Sequence, residues 1–217
     1  NLRFRGKLNI PPGITSEMEL KRHVEGVLAK NQTCGENISF LGGGCYQHYV
    51  PAVCDEITGR AEFLTAYAGE PYEDHGRFQA LFEYQSLMGE LLETDVVNVP
   101  TYDWGQAAST SIRMAGRITG RKVALIADTI SPDRLKVIKT YCEPVMQMRL
   151  VGHASDSAAL NVGQLGDSLD DSVAVVYLEN PSYLGTVEEQ GDELAEVVHD
   201  NGSMFVVGVD PMTLGVL

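Results

Sequence analysis

Long apolar runs are missing from this sequence: none approaches the ~20 residues that cross a bilayer, so no membrane span is expected. The start, Asn1-Leu2-Arg3-Phe4-Arg5, has no apolar core of a secretory signal. It also lacks an initiator Met, so residue 1 is expected not to be the natural start. Cations are scarce. Lys and Arg total 16 against 30 Asp and Glu, a formal net charge of -14. That balance excludes nucleic acid as a partner, because phosphates need a basic footprint. The four cysteines, Cys34, Cys45, Cys54 and Cys142, form no CxxC pair and have no histidine at a zinc-like spacing. Free thiols, no metal and a cytoplasmic location are the expectation. Nucleotide and hydrolase signatures are absent too. Gly42-Gly43-Gly44 runs into Cys45-Tyr46-Gln47 rather than a GxGxxG, and there is no P-loop, GxSxG or HExxH.

What is present suits a packed domain, with 44% hydrophobic residues in 217. Residues 1–60 read as an arm. A helix is predicted over Ser16–Asn31, then a Gly-rich bend at Gly42–Gly44, then the aromatic cluster Tyr46, His48 and Tyr49, stopped by Pro51. Residues 61–217 read as part of a larger α/β domain that is expected to continue beyond Leu217. From Gly76, Phe78, Leu81, Phe82, Leu87, Met88, Leu91 and Leu92 recur at helical spacing. Strands are predicted at Val96–Val99, Lys122–Ala127, Val145–Val151, Val173–Leu178 and Ser203–Val209. They are short β-branched runs without alternation, as in strands buried on both faces. Helices are predicted over Gly105–Thr119, Pro132–Tyr141 and Val187–Asp200. Ser131-Pro132 looks like a helix start, Thr186 with Glu189 like a capping box, and Asn201-Gly202 like a stop. The alternation implies a three-layer α/β fold with a mainly parallel sheet.

Four groups of residues could carry chemistry. Asn98-Val99-Pro100-Thr101-Tyr102-Asp103-Trp104-Gly105-Gln106 joins a strand to a helix start that can hold an anion, unless Asp103 already caps it. Leu178-Glu179-Asn180-Pro181-Ser182-Tyr183-Leu184-Gly185 places polar residues, Asn180 among them, at a strand's carboxyl end, where open α/β sheets bind ligands; an ordinary Asn-Pro turn is the alternative. Asp210 ends an apolar strand and either faces a cofactor nitrogen or caps the next turn. Tyr46, His48, Tyr49, Tyr67, Tyr72 and His75 are ligand-facing or simply packed.

Several stretches resemble the P-protein family of the glycine cleavage system. They are Phe40-Leu41-Gly42-Gly43-Gly44-Cys45-Tyr46-Gln47-His48-Tyr49-Val50-Pro51-Ala52, Glu62–Tyr67, Gln79–Gln85, Tyr102-Asp103 and Val206–Pro211, in family order along nearly the whole chain. The resemblance implies the large domain of the type I pyridoxal-phosphate transferase fold. It also implies an oxidoreductase that decarboxylates glycine and passes the aminomethyl group to the lipoyl arm of the H-protein. In many prokaryotes that enzyme is a hetero-oligomer of two related subunits, and this chain is similar to the first, which lacks the imine lysine. The last lysine here is Lys139, ahead of the final strands. The resemblance thus implies a second subunit that holds pyridoxal phosphate, no cofactor on this chain and no catalysis by it alone. His48, Tyr67, Tyr102, Asp103, Asn180 and Asp210 are its candidate active-site-facing residues. Ala68–Gly76 and Ser109-Thr110-Ser111 depart from the family pattern. Left open are another pyridoxal enzyme's large domain, of aminotransferase or desulfurase type, and a non-catalytic scaffold.

Overall fold

The structure is a computed structural model that describes residues 6–40, 42–44, 46–60, 75–154 and 157–215. The chain divides into two compact units, Asn1–Phe40 and Leu41–Leu217.

The first unit is built on α1, Glu17–Leu28. Ser16 caps it, its hydroxyl accepting from the Glu19 N–H at 3.4 Å. The helix ends at Leu28, short of the predicted Asn31. It is held on its surface by a Lys21–Glu25 pair one turn apart.

The second unit runs α2 (Ala52–Thr58), α3 (His75–Leu91), α4 (Trp104–Thr119), β1 (Val123–Ala127), α5 (Pro132–Cys142), β2 (Gln147–Val151), α6 (Val162–Ser168), β3 (Val173–Asn180), α7 (Gly191–Asp200) and β4 (Met204–Val209), then a 3-10 turn at Pro211–Gly215. The four strands are all parallel, in the order β2-β1-β3-β4. Helices α4 and α5 pack on one face, α6 and α7 on the other, giving the three layers expected. Central β1 is buried along its whole length and β3 nearly so, while edge strands β2 and β4 keep exposed positions. The core gathers Ile112, Leu125, Ile126, Ile138, Leu165 and Val175 between the layers.

Ends of the helices show why the chain turns where it does. After α7, Gly202 takes a left-handed φ of 70°. Its N–H reaches the His199 carbonyl at 2.7 Å and that of Ser203 the Val198 carbonyl at 3.2 Å, closing the helix with the paired reverse bonds that the Asn-Gly stop promises.

Three expectations are corrected. Val96–Val99 is not a strand: Gln85 of α3 donates to the Val97 carbonyl at 2.7 Å, and Pro100 ends the stretch without a partner strand. The Thr186–Glu189 capping box does not form, and α7 begins at Gly191 rather than Val187. The reason is a competing set of bonds. Ser182 Oγ takes the Thr186 N–H, and Asn180 and Glu188 exchange hydrogen bonds at 3.0 and 3.4 Å. Ser131 precedes Pro132 as expected, yet makes no side-chain cap bond. Helices α2 and α6 were not predicted. No helix among the described residues is long and apolar enough to cross a membrane.

Candidate functional site

All four strands point their carboxyl ends one way, and the polar side chains collect there. The deepest of them is Glu179, near the end of β3 and 3% exposed. An ionised carboxylate in that position is costly without compensation. Arg134, in the first turn of α5, supplies it with a two-pronged contact, Nε to Oε1 at 2.7 Å and Nη2 to Oε2 at 2.6 Å. Partial burial works against the Arg134 charge, but the bonds and charge of Glu179 more than offset it, so its pKa rises above the usual arginine value. The guanidinium also lies over the Trp104 ring, 4.3 Å from its centroid.

Tyr177, two residues before Glu179 and on the same face of β3, completes the network. Its hydroxyl accepts from Trp104 Nε1 at 3.1 Å and donates to Glu179 Oε1 at 3.1 Å. Burial and then the Glu179 charge push the phenol's pKa far above its ordinary value, so it stays protonated. Gly208 of β4 explains how these rings fit. A Cβ there would lie 2.7 Å from both Trp104 Nε1 and the Tyr177 hydroxyl.

The second polar pair stands at the end of β4. Asp210 is 7% exposed. Its Oδ1 accepts the Met212 N–H at 3.0 Å, and its Oδ2 accepts from His48 Nε2 at 2.6 Å. The Met212 bond is the turn-capping alternative for Asp210. His48 arrives on a segment strapped over the strand ends. The Gly43 N–H donates to the Tyr183 carbonyl at 3.2 Å, and the Tyr46 hydroxyl to the Pro181 carbonyl at 3.4 Å. Burial, opposed by Arg134, raises the Tyr46 pKa. Gly42, Gly43 and Gly44 all take φ between 62° and 71°, which lets the strap bend.

The sheet therefore brings His48, Asn180 and Asp210 to one end. Asp103 is the cap of α4: its carboxylate accepts the Gln106 N–H at 2.7 Å while Gln106 Oε1 takes the Tyr102 N–H at 2.8 Å. Tyr102 is 97% exposed. Tyr67 and Tyr72 lie outside the described residues, as does 68–74 of the departing segment. Sequence reasoning missed Arg134 and Tyr177, and named Trp104 and Glu179 only within longer stretches, with no role of their own. The one available signal was the acidic residue just before Asn180 in a run otherwise read as buried.

A parallel sheet flanked by helices, with its polar residues gathered at the strand carboxyl ends, is an open three-layer α/β arrangement, and the solved structures it resembles carry the type I pyridoxal-phosphate-dependent fold. The backbone is similar to that of Lactobacillus brevis glutamate decarboxylase, with a TM-score of 0.59 at 13% identity over 94% of this chain and 50% of that one. A profile of the glycine cleavage system P-protein matches residues 1–217, and the chain belongs to that family. Probable glycine dehydrogenase (decarboxylating) subunit 1 of Staphylothermus marinus is 38% identical over 93% of this chain and 44% of its own length. That of Thermococcus onnurineus is 39% identical over 97% and 47%. A solved glycine decarboxylase (P-protein) in inhibitor-bound form superposes with a TM-score of 0.74 at 31% identity, over 98% of this chain and 47% of that one. The chain spans about half the length of these relatives. The aminotransferase, desulfurase and scaffold alternatives are not favoured.

Pyridoxal phosphate is the group this fold implies, and no described lysine of the second unit stands at the sheet's carboxyl end. An imine needs a lysine at the carboxyl end. Lys122 precedes β1 at the other end, Lys136 pairs with Asp133 at 3.1 Å on exposed α5, and Lys139 is farther along that helix. In the first turn of α4 the Gln106 N–H already donates to the Asp103 carboxylate.

Proposed function

We propose that the intact protein is the first subunit of a two-part glycine decarboxylase. With a second P-protein subunit it decarboxylates glycine and transfers the aminomethyl group to the lipoyl group of the H-protein. The single observation that carries this reading is the family match along all 217 residues, shared with relatives named as subunit 1 of a decarboxylating glycine dehydrogenase. In this reading the assembled hetero-oligomer is a cytoplasmic oxidoreductase, and pyridoxal phosphate sits on the partner subunit. The lack of a described lysine at the sheet's carboxyl end supports that division of labour.

Residues 1–60 serve as an arm in this proposal, and 61–217 as part of the larger domain. His48, Tyr67, Tyr102, Asp103, Asn180 and Asp210 are proposed to face the shared active site or to shape its rim. Exchange of labelled bicarbonate into the glycine carboxyl group tests the function, with intact subunit, partner and lipoylated H-protein combined. Exchange is expected only with all three. Full exchange without this subunit overturns the proposal.

A further inference from the structure

Cations are the scarce charge in this chain, 16 against 30 acids, so each should find a carboxylate nearby. Lys21, Arg134, Lys136 and Arg149 do. Arg113, Arg117, Arg121 and Lys122 do not pair with an acid among the described residues, yet all four line one cleft of about 310 Å³ between the end of α4 and the turn from α5 to β2. No acid lines it. Arg113 and Arg117 stand one turn apart on α4, where like charges destabilise a helix. Two of the four are placed by neutral groups. Arg113 lies over the Tyr141 ring, 5.1 Å from its centroid. Arg121 is tied to the Val173 and Asn201 carbonyls at 3.0 and 2.8 Å. Such partners fix a guanidinium without cancelling its charge. The side chains of Arg117 and Lys122 are exposed and have no hydrogen-bond or ion-pair partner among the described residues. The floor is apolar: Met146, 7% exposed, packs so close to Gly116 that a Cβ there would lie 3.0 Å from its Cε. Arg117 also suits the negative end of α4. That accounts for one cation, not for Arg113 a turn earlier or Lys122 beyond the helix.

We propose that this cleft binds a small organic phosphate, its phosphoryl group among Arg113, Arg117 and Lys122 and its carbon body on Met146 and Val145. Guanidinium groups offer paired N–H donors that match phosphate oxygens. The apolar floor adds contact that a bare ion does not use. Arg121 strengthens the positive field without leaving its carbonyls. The inference does not rest on the glycine reaction, because the cleft lies where β1 begins and not at the strand carboxyl ends.

The test is calorimetric titration of the intact protein with phenyl phosphate and, separately, inorganic phosphate at about 50 mM salt. Phenyl phosphate should bind one per chain with a Kd below about 1 mM, and more tightly than inorganic phosphate. Arg117→Gln/Lys122→Gln should raise that Kd at least about tenfold. Lys136→Gln/Arg149→Gln removes the same charge from residues outside the cleft and should change it by less than about twofold. A weaker wild-type Kd, no preference for phenyl phosphate, a smaller effect of the first double variant or an equal effect of the second overturns the proposal. If Arg117→Gln/Lys122→Gln does not fold, the wild-type protein still decides the matter. Phenyl phosphate should shift the backbone amide NMR signals of Gly116, Gly120 and Lys122 ahead of others; shifts centred on the strand carboxyl ends overturn the assignment.

Discussion

The two ends of the sheet are fastened in different ways. At the amino end one guanidinium does most of the fastening. Arg121 Nη1 donates to the Val173 carbonyl at 3.0 Å and the Asn201 carbonyl at 2.8 Å, while Ser203 Oγ adds a bond to Val173 at 2.9 Å. The acceptors are neutral backbone groups that the folds of β3 and α7 leave over. At the carboxyl end the partners are side chains meeting one another, Arg134 with Glu179 and His48 with Asp210. Stability alone does not ask for the second arrangement, since a buried ion pair is commonly replaceable by apolar side chains without loss. The difference teaches where the fold spends polar chemistry on something other than holding itself together.

Breaking the carboxyl end should have the largest effect. Glu179→Ala strands the Arg134 charge and removes the acceptor of the Tyr177 hydroxyl, and about 3–5 kcal/mol of unfolding free energy should be lost. Urea denaturation measures it. Replacing both partners, Arg134→Met with Glu179→Leu, should recover most of that loss; if it does not, the pair is a stability device and the contrast between the two ends fails.

Arg121→Met attacks the amino end. It removes a donor from the Asn201 carbonyl and leaves the Val173 carbonyl with Ser203 Oγ, and about 1–3 kcal/mol should be lost in the same assay. A loss exceeding that of Glu179→Ala would reverse the ranking of the two ends.

The smallest effect is set by pH. Asp170, just before β3, accepts from the Ser172 hydroxyl and from Arg149 at 2.9 Å. The Ser172 hydrogen bond, then Arg149, lowers its pKa to about 2 from the ordinary carboxylate value. A depressed folded pKa stabilises above the unfolded value, and that contribution disappears as pH falls through about 2. The group is fully exposed, so the slope should be slight. An NMR titration of the Asp170 carboxyl should place its midpoint well below those of exposed aspartates without such partners; a midpoint among theirs removes this contribution.

Central elements were legible in the sequence because burial on both faces leaves only apolar residues. Val123–Ala127 and Val173–Leu178 declare themselves in this way. Val96–Val99 has the same β-branched look, but strand formation depends on a neighbour with which to pair, and none is supplied there among the described residues. Helix α6 hid behind Gly163 and Gly166, which weaken the local helical signal. Helix α2 begins right after Pro51, a start signal that was read instead as a stop. At the site, Asn180 and Asp210 were visible as polar residues closing apolar strands. Arg134 was not, because an arginine on a half-exposed helix looks like any solvated cation. Its partner lies 45 residues away, and the His48–Asp210 pair spans 162. Only the assembled sheet joins positions so far apart.

Gly208 leaves room for Trp104 to cross beneath Arg134 and touch Tyr177, and this is the chain's single tryptophan. All indole emission from the chain therefore originates at the carboxyl end of the sheet. The molecule has a built-in optical probe at the place where its charged side chains meet. A change in the Arg134–Glu179 pair alters the electric field on that indole directly, whereas rearrangement at the Arg121 end is distant from it and optically quiet.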